Sequence, residues 1–217
     1  MATVNNPGRE AILARIRAGL RTPAQELPSA SSDGEIFEPV TNPLERFQQE
    51  CKANLMECLM TSDAAASAQQ LVQVLQSLPA GEVFVQDDPM LRGMMELSRT
   101  ERPIRWSSQG GPLEVSQATV TLAEALVAQT GSIFVTASCG GRGASIVAPC
   151  HIVVANISQL VPDLKTVLAN ASKQGRLEKT SFACIISGSS RTADIEKILV
   201  QGAHGPIRLV VILQTGL

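Results

Sequence analysis

Apolar positions at helical and alternating spacings divide this chain into a series of short elements. Ile12, Leu13, Ile16 and Leu20 form a stripe that predicts an amphipathic helix over residues 7–20. Residues 22–33 are rich in Pro, Ser and Ala, have little to bury, and read as a linker. Pro43 opens a second helix, in which Leu44, Phe47, Cys51, Leu55 and Cys58 fall near helical spacing. Thr61, Ser62 or Asp63 caps a third, which turns Leu71, Val72, Leu75 and Leu78 inward and stops at Pro79-Ala80-Gly81. A strand over residues 82–86, a helix from Asp88-Pro89 to Leu97 and a strand over residues 103–106 follow. This alternation predicts an α/β sheet with parallel members.

The second half is read in the same way. Residues 116–129 are mixed, with a helical second part, and Thr130-Gly131 ends them. Residues 132–136 and 151–155 are apolar strands. Only a glycine-rich loop lies between them, so they are expected to pair antiparallel. Residues 160–172 form a helix that Gly175 stops. Residues 182–186 are a short apolar run suited to a strand covered on both faces. Gly188, Ser189 and Ser190 break that run. Ile195, Ile198 and Leu199 then predict a helix, with Asp194 and Glu196 in its first turns and Gly202 at its end. Residues 209–213 form the last strand. Polar groups therefore gather at the carboxyl end of a central strand, where open α/β folds place ligands.

Composition narrows the class. The chain has 217 residues, which suits one domain over residues 35–217 and an N-terminal helix and linker over residues 1–34. A formal net charge of −2 disfavours broad nucleic-acid binding. No apolar run approaches a membrane span and the first nine residues hold no signal-peptide core, so a cytoplasmic protein is expected. Cys51, Cys58, Cys139, Cys150 and Cys184 include no CxxC pair. That spacing speaks against a zinc ribbon, a disulfide framework or an iron–sulfur cluster held by this chain. Cys51 and Cys58 are expected to share a helix face as small buried residues. The sequence identifies no cofactor, and no His and carboxylate spacing indicates a catalytic metal.

Three places offer chemistry. In Gly188-Ser189-Ser190-Arg191-Thr192, hydroxyls, backbone N–H groups and a guanidinium can bind an anion, or Ser190 or Thr192 can cap a helix. Asp194 would repel an anion and can instead hold Arg191. The loop Gly140-Gly141-Arg142-Gly143 is neither a Walker A loop nor a GxGxxG turn; it either lets a ligand approach the backbone or connects two strands. His204 stands in a glycine-flanked turn, beside Gly205, where a general acid or base could act; His151 begins an apolar strand and suits a structural role.

Ser187-Gly188-Ser189-Ser190-Arg191-Thr192-Ala193-Asp194-Ile195-Glu196, then Gly202-Ala203-His204-Gly205-Pro206 and residues 209–213, resemble the C-terminal signature of the lactate-utilization protein C family (LutC/YkgG, the LUD domain). Residues 128–135, Gly141-Arg142 and residues 149–154 resemble the middle of the same family, so the likeness spans residues 120–213. It implies the fold of glucosamine-6-phosphate deaminase, ribose-5-phosphate isomerase and CoA transferases: a three-layer α/β sandwich with a mostly parallel sheet and a small antiparallel excursion, here with N-terminal helices added. It also implies a role in oxidising L-lactate to pyruvate beside iron–sulfur partner subunits. The expected site is a small anionic-ligand pocket at the carboxyl ends of the sheet. Arg191 would bind a carboxylate or phosphate there, with Gly188, Ser189, Ser190, Thr192, Asp194 and Gly205 around it, Arg142 closing over it and His204 as the acid–base candidate. Two positions depart from the family pattern. Gln129 stands where relatives carry Glu before the Thr-Gly pair, and an amide does not titrate; Gly143 replaces a bulky apolar residue. The competing readings are a stand-alone sugar-phosphate isomerase, CoA transferase or folate cycloligase, and a non-catalytic assembly or regulatory protein that docks through its N-terminal helix.

Overall fold

The computed structural model describes residues 7–21, 38–193, 199–201 and 205–216. The chain divides into two units, Met1–Glu38 and Pro39–Leu217. In the first, the amphipathic stripe forms helix α1 (Pro7–Arg21), which buries no side chain and leaves Ile12, Ile16 and Leu20 exposed. In the second, four helices start where Asn or Asp turns a side-chain oxygen onto a backbone N–H of the first turn. Asn42 caps α2 (Pro43–Ala53), Asp63 caps α3 (Ala64–Gln76), Asp88 caps α4 (Pro89–Ser98) and Asp163 caps α5 (Leu164–Lys173). Each cap satisfies a donor that the helix itself cannot. A one-turn helix, α6 (Arg176–Lys179), follows α5. Among the described residues no helix is long and apolar enough to cross a membrane.

Six strands make one sheet in which every pairing is parallel: β1 (Glu57–Thr61), β2 (Glu82–Val85), β3 (Ile104–Trp106), β4 (Ser116–Leu122), β7 (Cys150–Asn156) and β12 (Arg208–Gln214), in the order β1-β12-β7-β4-β2-β3. The central strands are apolar runs because both of their faces are covered. On one face Val83, Val85, Val120, Ile152, Val210 and Ile212 pack against Leu71 and Leu75 of α3 and Leu91 and Met94 of α4. On the other, Val153, Leu209, Val211 and Leu213 meet Phe47 and Cys51 of α2 and a second sheet. That sheet runs β8-β5-β6-β9, from β5 (Ala125–Val127), β6 (Ser132–Thr136), β8 (Leu160–Val161) and β9 (Ala183–Ile186). Its outer face, Val127 and Phe134, is covered by Val167 and Ala171 of α5. The α/β class with a mostly parallel sheet is therefore the one read from the sequence, and the antiparallel excursion is this second sheet.

Several local expectations are corrected. Residues 125–127 are strand rather than helix, and residues 128–130 form a single 3-10 turn: Leu126 and Ala128 face the inner core while Ala125 and Val127 face α5. This two-residue alternation between two apolar environments overrides the helix propensity of the Ala and Glu there. Helix α2 ends at Asn54, and Leu55 takes a positive φ of 53°. Cys51 and Cys58 thus lie on a helix and a strand, not on one helix face. Strands β6 and β7 do not pair, because residues 137–149 carry the chain from the second sheet to the first. Strand β9 is an edge strand joined only to β6, and its Ala183 is exposed. Helix α5 starts only after Pro162, and Leu160–Val161 instead extend the second sheet. Residues 199–201, expected at the end of a helix, are strand. β10 (Arg191–Ala193) and β11 (Leu199–Gln201) pair antiparallel, with Thr192 in register with Val200. Asp194, Ile195, Glu196 and Ile198 lie outside the described residues.

Candidate functional site

The Gly188 corner is built by close backbone approach. Gly188 has φ near 90°, and a Cβ there would run into the carbonyl of Asn54, at the end of α2. The Ser190 N–H donates to Pro206 O at 2.8 Å, which ties this turn to the one before β12. A Cβ on Gly205 would lie 3.2 Å from Ser190 Cβ. The Ile207 and Arg208 N–H groups both donate to Pro149 O, just ahead of β7. The corner therefore sits beside the amino ends of β12 and β7, which corrects the expectation of the carboxyl ends. Ser189 is half-buried and Arg191 exposed. Arg142 is placed elsewhere: its Nε donates to Ser181 Oγ at 3.1 Å, ahead of β9. Gly188 follows β9, so the two positions are separated by the length of an extended segment, roughly 20 Å. His204 and Asp194 lie outside the described residues.

The Thr130-Gly131 pair seats α2. Gly131 has φ near 58°, and a Cβ on it would stand 2.6 Å from Glu50 Cβ and 2.9 Å from the Cys51 nitrogen. The Asn54 amide donates to Thr130 O at 2.9 Å. Thr130, Ser132 and Ser187 continue as hydroxyl pairs at 2.6 Å, linking this turn to the end of β9. Gln129 is half-buried beside it, and its N–H donates to Pro162 O.

A cleft opens past the carboxyl ends of β4 and β7, between the second sheet and α5. It encloses about 240 Å³ and is lined by Ala125, Phe134, Val161, Val167 and Ala171 on its apolar side. Glu124, Ser158, Gln159, Asn170, Gln174 and Arg176 form the polar side. Glu124 is the most organised of these. Its Oε1 accepts from Thr136 Oγ1 at 3.0 Å and from Ser138 Oγ at 2.7 Å, with the Cys139 thiol at 4.0 Å. Its Oε2 pairs with Arg176, whose side chain is 39% exposed against 19% for Glu124. Gln159 is fixed by its own bonds to Ala123 O and Asn156 N. Arg176 carried no sequence signal. A further cavity of about 290 Å³ between α3 and α4 contains no titratable side chain.

Buried polar groups also line the main sheet. His151 is fully buried, and its Nε2 shares a hydrogen bond of 2.9 Å with Thr121 Oγ1, which fits the structural role expected of it. Burial pushes its imidazole down to about 4. The Cys58 thiol beside it and burial push Cys51 up, and the Cys51 thiol pulls Cys58 down. Burial pushes Cys150 up to about 12 and also raises Cys139 and Cys184, so these thiols are poor nucleophiles. Among the described residues no group of three or more His, Cys, Asp or Glu side chains could hold a metal ion.

Comparison with known proteins adds five likenesses. The LUD domain model matches residues 112–214. The chain is 27% identical over 188 residues to lactate utilization protein C of Geobacillus sp. (strain WCH70), covering 79% of this chain and 78% of that one. It is 30% identical over 155 residues to lactate utilization protein C of Halalkalibacterium halodurans, covering 67% of each. The uncharacterized protein YkgG of Escherichia coli is 28% identical over 170 residues, with 73% of each chain covered. Among solved structures, a DUF162 family protein from Deinococcus radiodurans has a TM-score of 0.62 at 22% identity, covering 80% of this chain and 96% of that one. That likeness bears on the fold.

Proposed function

The chain belongs to the LUD domain, lactate utilization protein C family, and from that premise we propose that it is a subunit serving the oxidation of L-lactate to pyruvate. The observation that carries this reading is the extent of the likeness to relatives named for lactate utilization, which takes in two thirds or more of this chain. The reaction removes two electrons and two protons from the substrate's CH–OH group. Iron–sulfur partner subunits are the proposed acceptors of the electrons, and this chain is the proposed binder of a small carboxylate.

Two places offer a guanidinium for that carboxylate. At the Gly188 corner Arg191 is exposed at the start of a short hairpin. In the cleft, Arg176 stands beside a half-buried carboxylate above apolar side chains. The second arrangement favours a small organic acid, because it offers both a charge partner and a place for carbon.

Deleting the chain from its host is expected to abolish growth on L-lactate as sole carbon source and to leave growth on pyruvate intact. The tagged full-length chain, isolated from lactate-grown cells, is expected to bring iron–sulfur proteins with it. Undiminished growth of the deletion strain on L-lactate would overturn the proposal.

A further inference from the structure

We propose that the cleft between Glu124 and Arg176 is a binding site for a small 2-hydroxy monocarboxylate, and that Glu124 makes it select the hydroxy acid over the corresponding 2-oxo acid. This rests on the lactate-oxidation reading above and assigns its substrate to a place.

The argument starts from what each side chain has left to give. A guanidinium presents five N–H donors in a planar fork. One of its terminal nitrogens faces Glu124 Oε2, and among the described residues Glu124 is its one ion-pair partner. The rest of the fork can take a second carboxylate in the two-bond geometry that arginine favours. Glu124 is placed differently. Its Oε1 is already occupied by the Thr136 and Ser138 hydroxyls, which fix the carboxylate plane. Its Oε2 faces the cleft and the arginine, where it can accept one more donor.

A guest that satisfies both groups carries a carboxylate and an adjacent O–H. The carboxylate lies on Arg176 and the hydroxyl donates to Glu124. Its short carbon tail then meets Ala125, Phe134 and Val167. The volume sets the upper size: about 240 Å³ lies below the usual range for drug-sized ligands. A 2-oxo acid fits the same space but has no proton to give. Its carbonyl oxygen would oppose Glu124 Oε2 acceptor to acceptor, a repulsive contact in place of a hydrogen bond. Sites built around such a hydrogen bond reject analogues that lack it far more strongly than sites that sense only size.

The position of the pair has structural causes. Glu124 follows the last residues of β4, and its N–H donates to Phe134 O at 2.9 Å, which starts the second sheet. Gly175 closes the turn after α5 and lets α6 begin with Arg176. The residues lie far apart in sequence, and the packing of α5 on the second sheet brings them together.

The test is calorimetric titration of the purified full-length chain with L-lactate, pyruvate and propionate, the last keeping the carboxylate without either oxygen function. The wild-type chain is expected to bind L-lactate at least about tenfold more tightly than pyruvate or propionate. Glu124→Gln keeps the shape and adds an N–H that can serve a carbonyl, so the preference for lactate over pyruvate should fall to within about threefold. Arg176→Ala should weaken lactate at least about tenfold, Arg176→Lys should recover part of that loss, and Arg191→Ala should leave affinity unchanged. Circular dichroism establishes that each variant is folded, and the lysine variant carries the test if the alanine variant is not. Equal binding of pyruvate and lactate by the wild-type chain would overturn the proposal, as would undiminished lactate binding by both Arg176 variants. A chain that binds no lactate, yet whose loss still blocks growth on lactate, would remove the cleft assignment and leave the subunit role standing.

Discussion

Gly131→Ala should destabilise the C-terminal unit by about 3 kcal/mol, because it combines a left-handed backbone position with overpacking. The structural cause is the approach of α2. An added Cβ would stand 2.6 Å from Glu50 Cβ, 2.8 Å from the Glu50 carbonyl carbon and 2.9 Å from the Cys51 nitrogen. Most of these atoms are backbone or next to it, so no flexible side chain can yield. Helix α2 would have to lift, and with it Phe47 and Cys51, both buried in the inner core. The Asn54–Thr130 bond would lengthen as well. Urea denaturation of the two proteins measures the loss. Gly93→Ala is the comparison: a Cβ at that helical position meets nothing within 4 Å, so it should stabilise by about 1 kcal/mol or less. A Gly131→Ala protein as stable as wild type would show that α2 is not held as described.

Stability should also fall by about 3 kcal/mol as pH drops from near 6.5 to near 4, on account of His151 alone. The group is fully buried, and burial pushes its folded-state value from 6.5 down to about 4. Between those values the unfolded chain takes up a proton at this residue and the folded chain does not. Stability is therefore complete above about 6.5, declines through the interval and levels off below about 4 with respect to this group. No charged partner offsets the effect: Nε2 meets a threonine hydroxyl, and Nδ1 has no hydrogen-bond partner among the described residues. Asp63 and Asp87 are both held below the ordinary carboxylate value, Asp63 mainly by the Ala66 N–H and Asp87 mainly by Arg92. Their contributions are lost only at lower pH. Urea unfolding of wild type and of His151→Gln between pH 7 and pH 4.5 isolates the term. The variant should lose the slope, whatever its baseline. Parallel pH profiles for the two proteins would contradict the account.

Where apolar spacing and a strong cap agreed, the sequence was enough. α3 and α4 follow Asp63 and Asp88-Pro89, and β2, β6, β7 and β12 are uninterrupted apolar runs. The misreadings fall where the same residues satisfy two periods or where tertiary contacts choose. Ala125, Leu126 and Val127 have helical composition, but a core on each side makes them strand. The apolar spacing through Leu55 and Cys58 continued the pattern of α2, and nothing local announced that Cys58 would pair beside Val211 in β1. The site shows the same division. Gly188, Ser190 and Gly205 could be read as a joined corner, and Ser190 does meet Pro206 and Gly205. The Glu124–Arg176 pair could not be read, because it depends on the second sheet and on the α5–α6 turn.

The most direct measurement is a crystal structure of the full-length chain grown with L-lactate. The account predicts lactate in the cleft, its carboxylate on Arg176 and its hydroxyl on Glu124. Lactate at the Arg191 corner with the cleft empty would contradict it.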